Sequence, residues 1–329
     1  MTMGAILKNN AIAGNKSRTI DYLRISITDR CNSRCIYCLP PGGVQRREER
    51  DLLSFEEIVS FTNAAVATGV SRVRITGGEP LVRPGSAELI GRLAGIEGIR
   101  DLSLTTNGSL LSRHASGLKA AGLSRINISI DSLSPERFSQ LTGGANLGPV
   151  LDGLESVLAA GFAPVKVNAV SLPGIEDDLD EFVKLARELP VHVRFIEFMP
   201  IGKRVGGLWK FVSRKRLLQK LQGYGRLKPV ASPGGAGPAR YFQFDGARGT
   251  IGFISSMSDH FCAGCNRLRL TADGYLRNCL FSEEEIFVKP YFAGGRGALS
   301  RVILDSMNSK KFDRRIVNPG ERTMSQIGG

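Results

Sequence analysis

No stretch of the chain approaches the roughly 18 consecutive apolar residues that a membrane-spanning helix needs, so nothing in it reads as a transmembrane segment. The first twenty residues hold Lys8, Lys16 and Arg18 without an acid, and they lack the apolar core of a secretory signal. Residues 1–19 are therefore expected to be a flexible N-terminus in a cytoplasmic protein, a mitochondrial targeting remnant being the alternative. Acidic residues are in deficit: 31 Asp and Glu stand against 44 Lys and Arg, for a net charge of +13. That balance calls for an acidic partner such as a nucleotide, nucleic acid or anionic surface, without choosing among them. With 42% hydrophobic and 23% charged residues, disorder is excluded. The 329 residues suffice for one barrel-sized domain with an appendage, or for two ordinary domains.

A repeated rhythm of a short β-branched run, a polar or Gly-rich turn and a helix-period segment occupies the first two thirds. Strands are expected at 22–28, 72–76, 102–106, 126–130, 165–170 and 191–195. Helix starts are marked by Ser54 with Glu57, a capping box, and by Ser134 before Pro135. Six alternations mean parallel strands with helical crossovers, hence an α/β sheet or an incomplete (β/α) barrel. Beyond Lys210 the pattern changes to a basic helix at 213–221, a Gly/Pro segment at 232–238 that reads as a connection, and strands at 240–244 and 250–254. The expected division is 20–230 and 231–329.

Alternate strand residues point to opposite faces. In each expected strand one face is polar: Arg24 and Ser26, Arg72, Arg74 and Thr76, Ser103 and Thr105, Asn127 and Ser129, Lys166 and Asn168, His192 and Arg194. The apolar partners suit helix packing, which leaves a polar, cationic lumen. Unpaired cations there would each cost several kcal/mol, so an anionic ligand is the simplest account.

Without export the six cysteines are expected to stay reduced, which favours metal or catalytic use over disulfides. They fall into two triplets. Cys31, Cys35 and Cys38 form C-x3-C-x2-C just after the first strand, where barrel loops build active sites. Three such thiolates hold three irons of a [4Fe–4S] cluster and leave the fourth iron without a protein ligand. Zinc would need a fourth ligand, no histidine is near, and neither Asp29 nor Asn32 is a convincing substitute. Cys262, Cys265 and Cys279 have C-x2-C-x13-C spacing, which by itself suits a zinc ribbon with His260 as well as a cluster. The division of all six cysteines into two incomplete triplets favours a second cluster. Arg267 and Arg269, on one strand face between the last two cysteines, could cradle an anion beside an open iron.

The first triplet, with Arg24 seven residues before it, resembles the radical S-adenosylmethionine superfamily, as does Gly77-Gly78-Glu79-Pro80 after the second strand. Adding the second triplet, Asn266-Arg267-Leu268-Arg269 and the terminal Gly328-Gly329 narrows the resemblance to the GTP 3′,8-cyclase family of molybdenum-cofactor biosynthesis, over residues from about 20 to 329. The resemblance implies an incomplete (β/α)6 TIM-like barrel whose opening is closed by a C-terminal α+β extension, with two [4Fe–4S] clusters, S-adenosylmethionine bound at the first and GTP at the second. It implies that Cys31, Cys35 and Cys38 hold the first cluster and Cys262, Cys265 and Cys279 the second, and that Tyr37, Gly78, Ser129 and Met199 line the S-adenosylmethionine site. GTP falls to Arg24, Arg74, Thr105, Lys166, Arg267 and Arg269, with Arg194 a further phosphate candidate, and Arg24, Gly328 and Gly329 are the expected catalytic group. In the family's reaction a 5′-deoxyadenosyl radical abstracts the ribose C3′ hydrogen and the carbon radical attacks guanine C8. The partners implied are an electron donor such as flavodoxin or ferredoxin and a hand-off to cyclic pyranopterin monophosphate synthase; a homodimer is compatible, and neither nucleic acid nor a membrane is expected.

Two departures stand out: Leu39 follows Cys38 where methionine is common, and residues 310–315 lack a histidine that relatives often have. Neither touches a cluster ligand. Two rival readings are a radical enzyme that modifies peptides, with the second triplet as an auxiliary cluster, and a zinc-containing nucleic-acid-binding protein.

Overall fold

The computed structural model describes residues 19–39, 43, 46–202, 210–235, 237–311, 313 and 321–329, so the expected flexible N-terminus lies outside the described residues except for Thr19. Six parallel strands form the framework: β1 (Tyr22–Ser26), β2 (Arg72–Thr76), β3 (Asp101–Thr106), β4 (Arg125–Ser129), β5 (Val165–Val170) and β6 (Val191–Ile196). The crossovers are α1 (Phe55–Ala67), α2 (Ser86–Ala94), α3 (Leu111–Ala120), α4 (Pro135–Thr142), α5 (Gly148–Ala159) and α6 (Leu179–Glu188). Ser54 and Glu57 form the expected capping box, and Ser134 caps α4 ahead of Pro135, each cap contributing about 1 kcal/mol.

Strand limits differ from expectation for identifiable reasons. β1 ends at Ser26 because the carbonyls of Thr28 and Arg30 turn away to accept the amides of Gly78 (2.7 Å) and Glu79 (2.8 Å). β3 and β4 each start one residue earlier, at Asp101 and Arg125, whose side chains are paired as a salt bridge.

The region beyond β6 supplies α7 (Arg214–Leu221), β7 (Leu227–Val230), β8 (Arg240–Phe244), β9 (Thr250–Ile254), β10 (Arg267–Leu270), β11 (Tyr275–Arg277), β12 (Ile286–Phe287), α8 (Gly295–Asn308) and the single turn α9 (Met324–Ile327). Its strands join the framework in one sheet of order β12-β11-β10-β1-β2-β3-β4-β5-β6-β9-β8-β7. β10 runs parallel to β1 and β9 parallel to β6, so the region adds a parallel strand at each edge of the six. Among the described residues the hydrogen-bonded ladder stays open, as in an incomplete barrel. What the extension closes, it closes with side chains and the tail: Arg267, Arg269, Leu280, Met324, Ser325 and Gly329 stand in the wall of the central cavity.

Val73, Ile75, Leu102, Leu104, Ile126, Ile128, Val165, Val167, Val191 and Val193 are all at most 2% exposed and pack beneath the helices. Burial of such side chains contributes about 1.5–3 kcal/mol each. The opposite face is also enclosed: Arg74, Ser103, Asn127, Lys166 and Arg194 are at most 8% exposed. A sheet with its polar face open to water is thereby excluded. Among the described residues no helix is long and apolar enough to cross a membrane.

Candidate active site

β1 to β6, β9 and β10 all contribute to the wall of one cavity of about 280 Å³, so the sheet curls around its polar face. Cys31, Cys35 and Cys38 stand in that wall as free thiols, with the Cys38 amide bonded to the Cys35 carbonyl at 2.9 Å. Burial raises all three thiols, Cys38 to about 12, and the proximity of Cys31 adds to the rise at Cys35 and Cys38. Binding to iron removes that cost, because the metal takes the thiolate's charge. Three soft donors clustered in one wall fit three corners of a [4Fe–4S] cluster.

The loop that carries them is braced from the Gly-Gly-Glu-Pro turn. Gly78 lies so close to the chain ahead of Cys31 that a Cβ would fall 2.3 Å from the Arg30 carbonyl oxygen, which only glycine avoids. Glu79 is buried and accepts from the amides of Leu81 (3.1 Å) and Asn107 (2.6 Å) and from the Thr106 hydroxyl (2.7 Å), while burial pushes its carboxyl up to about 7. Asn107 passes the support on by donating to Asn32 (2.7 Å) and Ser33 (3.2 Å), between the first two cysteines. The Tyr37 hydroxyl donates to Asp131, whose other oxygen accepts the Val170 amide at 2.8 Å, tying this loop to β5.

The cations form a row. β-sheet register sets Arg269 beside Arg24 and Arg24 beside Arg74, three guanidinium residues on adjacent parallel strands. Their supports are neutral. Arg74 donates to Ser103 (3.1 Å) and Thr105 (3.5 Å), and Arg194 donates to Asn168 (2.9 Å) and Asn127 (2.9 Å). Burial, then the neighbouring cations, hold Arg24 well below the ordinary guanidinium range, bring Arg269 to about 10 and lower Lys166 to about 7. Arg24 Nε is buried without a hydrogen-bond partner among the described residues. Among the described residues no Asp or Glu side chain pairs with Arg24, Arg74, Arg194 or Arg269, so the chamber suits an anionic ligand. These enclosed cations are out of reach of a duplex.

The second triplet flanks this row. Cys262 and Cys265 sit on one turn, with the Cys265 amide bonded to the Cys262 carbonyl at 3.1 Å, and Cys279 follows β11. Burial raises the Cys265 thiol, but Arg267 and Lys310 outweigh it and bring it down to about 6, so this environment favours thiolate and hence metal ligation. Lys310 lies in the stretch without histidine and donates to the carbonyls of Arg267 (2.9 Å) and Asn278, binding β10 to the approach of Cys279. Glu197, after β6, accepts from the amides of Met257 (2.9 Å) and Ser258 (2.8 Å) and fixes the approach to Cys262. His260, the alternative zinc ligand, has Nδ1 3.0 Å from the Ser256 carbonyl.

Of the residues expected at the site, Arg24, the first three cysteines, Tyr37, Arg74, Gly78, Thr105, Ser129, Lys166, Arg194, Met199, Arg267, Arg269 and Gly329 all line the cavity. Cys262, Cys265, Cys279 and Gly328 lie beside it and do not line it. Sequence reasoning missed Arg125, which shares the polar face of β4 with Asn127 and would have emerged had that strand been extended one residue. The Gly/Pro segment requires a correction: it is part of the wall. Gly235, Gly237 and Pro238 line the cavity, the Gly234 carbonyl accepts from Lys166, and Gly235 lies so close to Arg125 that a Cβ would fall 2.4 Å from its guanidinium. Proline and glycine content signals a turn but not which surface the turn covers.

Residues 25–186 match the profile of the Radical SAM superfamily and residues 191–315 that of Molybdenum Cofactor Synthesis C. The GTP 3′,8-cyclase of Pelotomaculum thermopropionicum is 45% identical over 322 residues, covering 95% of this chain and 98% of that protein. That of Heliobacterium modesticaldum is 46% identical over 323 residues, with the same coverage. Among solved structures, SuiB of Streptococcus suis has a TM-score of 0.59 at 14% identity, covering 80% of this chain and 61% of SuiB, a likeness of fold alone.

Proposed function

The chain belongs to the GTP 3′,8-cyclase family of radical S-adenosylmethionine enzymes, and we propose how its own residues divide the conversion of GTP to 3′,8-cyclo-7,8-dihydro-GTP. Its cofactors are S-adenosylmethionine and two [4Fe–4S] clusters. Reduced and bound, the first cluster and S-adenosylmethionine supply the 5′-deoxyadenosyl radical that takes hydrogen from the ribose C3′ of GTP. Cys31, Cys35 and Cys38 hold the first cluster; Tyr37, Gly78, Ser129 and Met199 line the S-adenosylmethionine site. Cys262, Cys265 and Cys279 would hold the second cluster, at which the guanine would bind.

Arg74, Lys166, Arg194, Arg267 and Arg269, with Thr105, hold the GTP and its triphosphate. Arginine forks match phosphate oxygens geometrically, and fixing both ends of the nucleotide brings C3′ and C8 into reach of each other. Arg24 acts with the carbonyls of Gly328 and Gly329 at the ribose, while the enclosed walls keep water from the reactive carbon. Residues 20–230 form the barrel unit and 231–329 the GTP-facing unit. The +13 charge suits an acidic electron donor such as flavodoxin or ferredoxin. The product is handed to cyclic pyranopterin monophosphate synthase, in the cytoplasm.

The observation that carries this assignment is the row of Arg269, Arg24 and Arg74, held in register by three parallel strands with only neutral supports for Arg74. The test is anaerobic incubation of reconstituted protein with S-adenosylmethionine, dithionite and GTP deuterated at C3′. Deuterium in 5′-deoxyadenosine together with 3′,8-cyclo-7,8-dihydro-GTP supports the assignment, and 5′-deoxyadenosine formed without label or cyclised nucleotide refutes it.

A further inference from the structure

The last turn, α9, has four residues and is followed by two glycines, so neither helix propensity nor side-chain burial by the glycines explains why this tail crosses the cavity in one register. The Ser325 amide lies against the Cys38 thiol, the Gly328 carbonyl accepts from Arg269 at 2.9 Å, and the Gly329 carbonyl accepts from Arg24. Gly328 has φ +87°, and a Cβ there would fall 2.7 Å from both Ser26 Cβ and Thr76 Oγ1. The path is thus narrow, and a shift of the tail along it would move both carbonyls off their arginines.

Six residues before Gly328, Arg322 makes four hydrogen bonds. Nη1 donates to both oxygens of Asp273 (3.1 and 2.9 Å), while Nε and Nη2 donate to one oxygen of Glu285 (3.1 and 2.9 Å). The guanidinium also lies 4.5 Å from the centre of the Tyr275 ring. Asp273 is in the β10–β11 turn, Tyr275 begins β11, and Glu285 directly precedes β12. The anchor therefore grips the same hairpin whose first strand carries Arg269.

We propose that Arg322 is the positioning residue that sets the register of the C-terminal tail, so that the Gly328 and Gly329 carbonyls meet Arg269 and Arg24. This deepens the proposed function and rests on its reading of the tail as part of the active site. Arg322 does not line the central cavity and acts only through the tail. Its acidic partners remain paired without it: Asp273 keeps Arg47 (3.3 Å) and the Thr271 hydroxyl (2.6 Å), and Glu285 keeps Arg277 (2.5 Å). Loss of Arg322 therefore frees the tail while the hairpin stays folded.

The test compares R322A, R322K, deletion of Gly328 and Gly329, and R322A combined with that deletion, all reconstituted anaerobically. In R322A, amide hydrogen exchange in 323–328 should rise about tenfold or more, while 267–277 stays as protected as in the wild type. Iron content and S-adenosylmethionine cleavage should hold, cyclised product should fall about tenfold or more, and R322K should recover part of the loss. Combined with the deletion, R322A should lower product formation no further. Unchanged tail exchange, loss of protection in 267–277, or an added loss in the combined variant would overturn the assignment. Full cyclisation by the deletion alone would instead overturn the reading of the tail as catalytic, and Arg322 as its anchor would then be judged on the exchange data.

Discussion

Arg24 and Arg269 stand opposite one another on neighbouring parallel strands and donate to consecutive carbonyls of the tail, Arg24 to Gly329 and Arg269 to Gly328. Burial lowers both from their ordinary pKa, Arg269 adding to the fall at Arg24 and Arg267 to that at Arg269, and main-chain oxygens of the tail bridge the pair. The tail thus places an oxygen acceptor on each of the two cations at the cavity wall.

Deleting Gly328 and Gly329 should leave folding, both clusters, S-adenosylmethionine cleavage and GTP binding nearly intact while abolishing most cyclised product. G328A should act in the same direction, since the added Cβ has no space beside Ser26 and Thr76. Anaerobic assays that quantify 5′-deoxyadenosine and cyclised nucleotide in parallel will check this; equal loss of both products would contradict it.

R267A and R269A should each weaken GTP binding about 10- to 100-fold, the range expected for a lost charge-assisted hydrogen bond, and change S-adenosylmethionine binding much less. Arg267 lies 5.0 Å from the centre of the Phe261 ring and Arg269 is buried on the same strand. Calorimetry with each ligand separates the cases. Equal loss for both ligands would mean a collapsed C-terminal region.

Reconstituted protein should carry about eight irons per chain, four for each cluster, and changing either triplet to serine should remove about half. Iron and acid-labile sulfide analysis provides the count. Stoichiometric zinc at the second triplet that reconstitution cannot replace by iron would contradict the two-cluster assignment.

Lys166 in the free enzyme is held down to about 7 by burial and by Arg194, Arg125 and Arg74, so it loses its proton as pH rises through neutrality. A bound triphosphate favours the ammonium form, so GTP binding should take up a proton at and above pH 7. Affinity should fall as pH rises, by up to about tenfold per unit at the steepest, and K166M should flatten the profile. Calorimetry in buffers of different ionisation enthalpy measures the uptake directly, and an absence of uptake at pH 8 would refute this.

The sequence by itself determined the two cysteine triplets, the six βα units and the polar strand faces, because metal-ligand spacing and side-chain parity are local properties of the chain. Parity put Arg24, Arg74, Lys166 and Arg194 on one face before any strand order was known. Only the tertiary structure decided which strands are neighbours: β10 lies against β1 and β9 against β6, although each pair is far apart in sequence. It also placed the Gly/Pro segment in the cavity wall and Arg322 against the β10–β11 hairpin. Those relationships arise from the register of a whole sheet and from packing between distant segments. No local pattern encodes them.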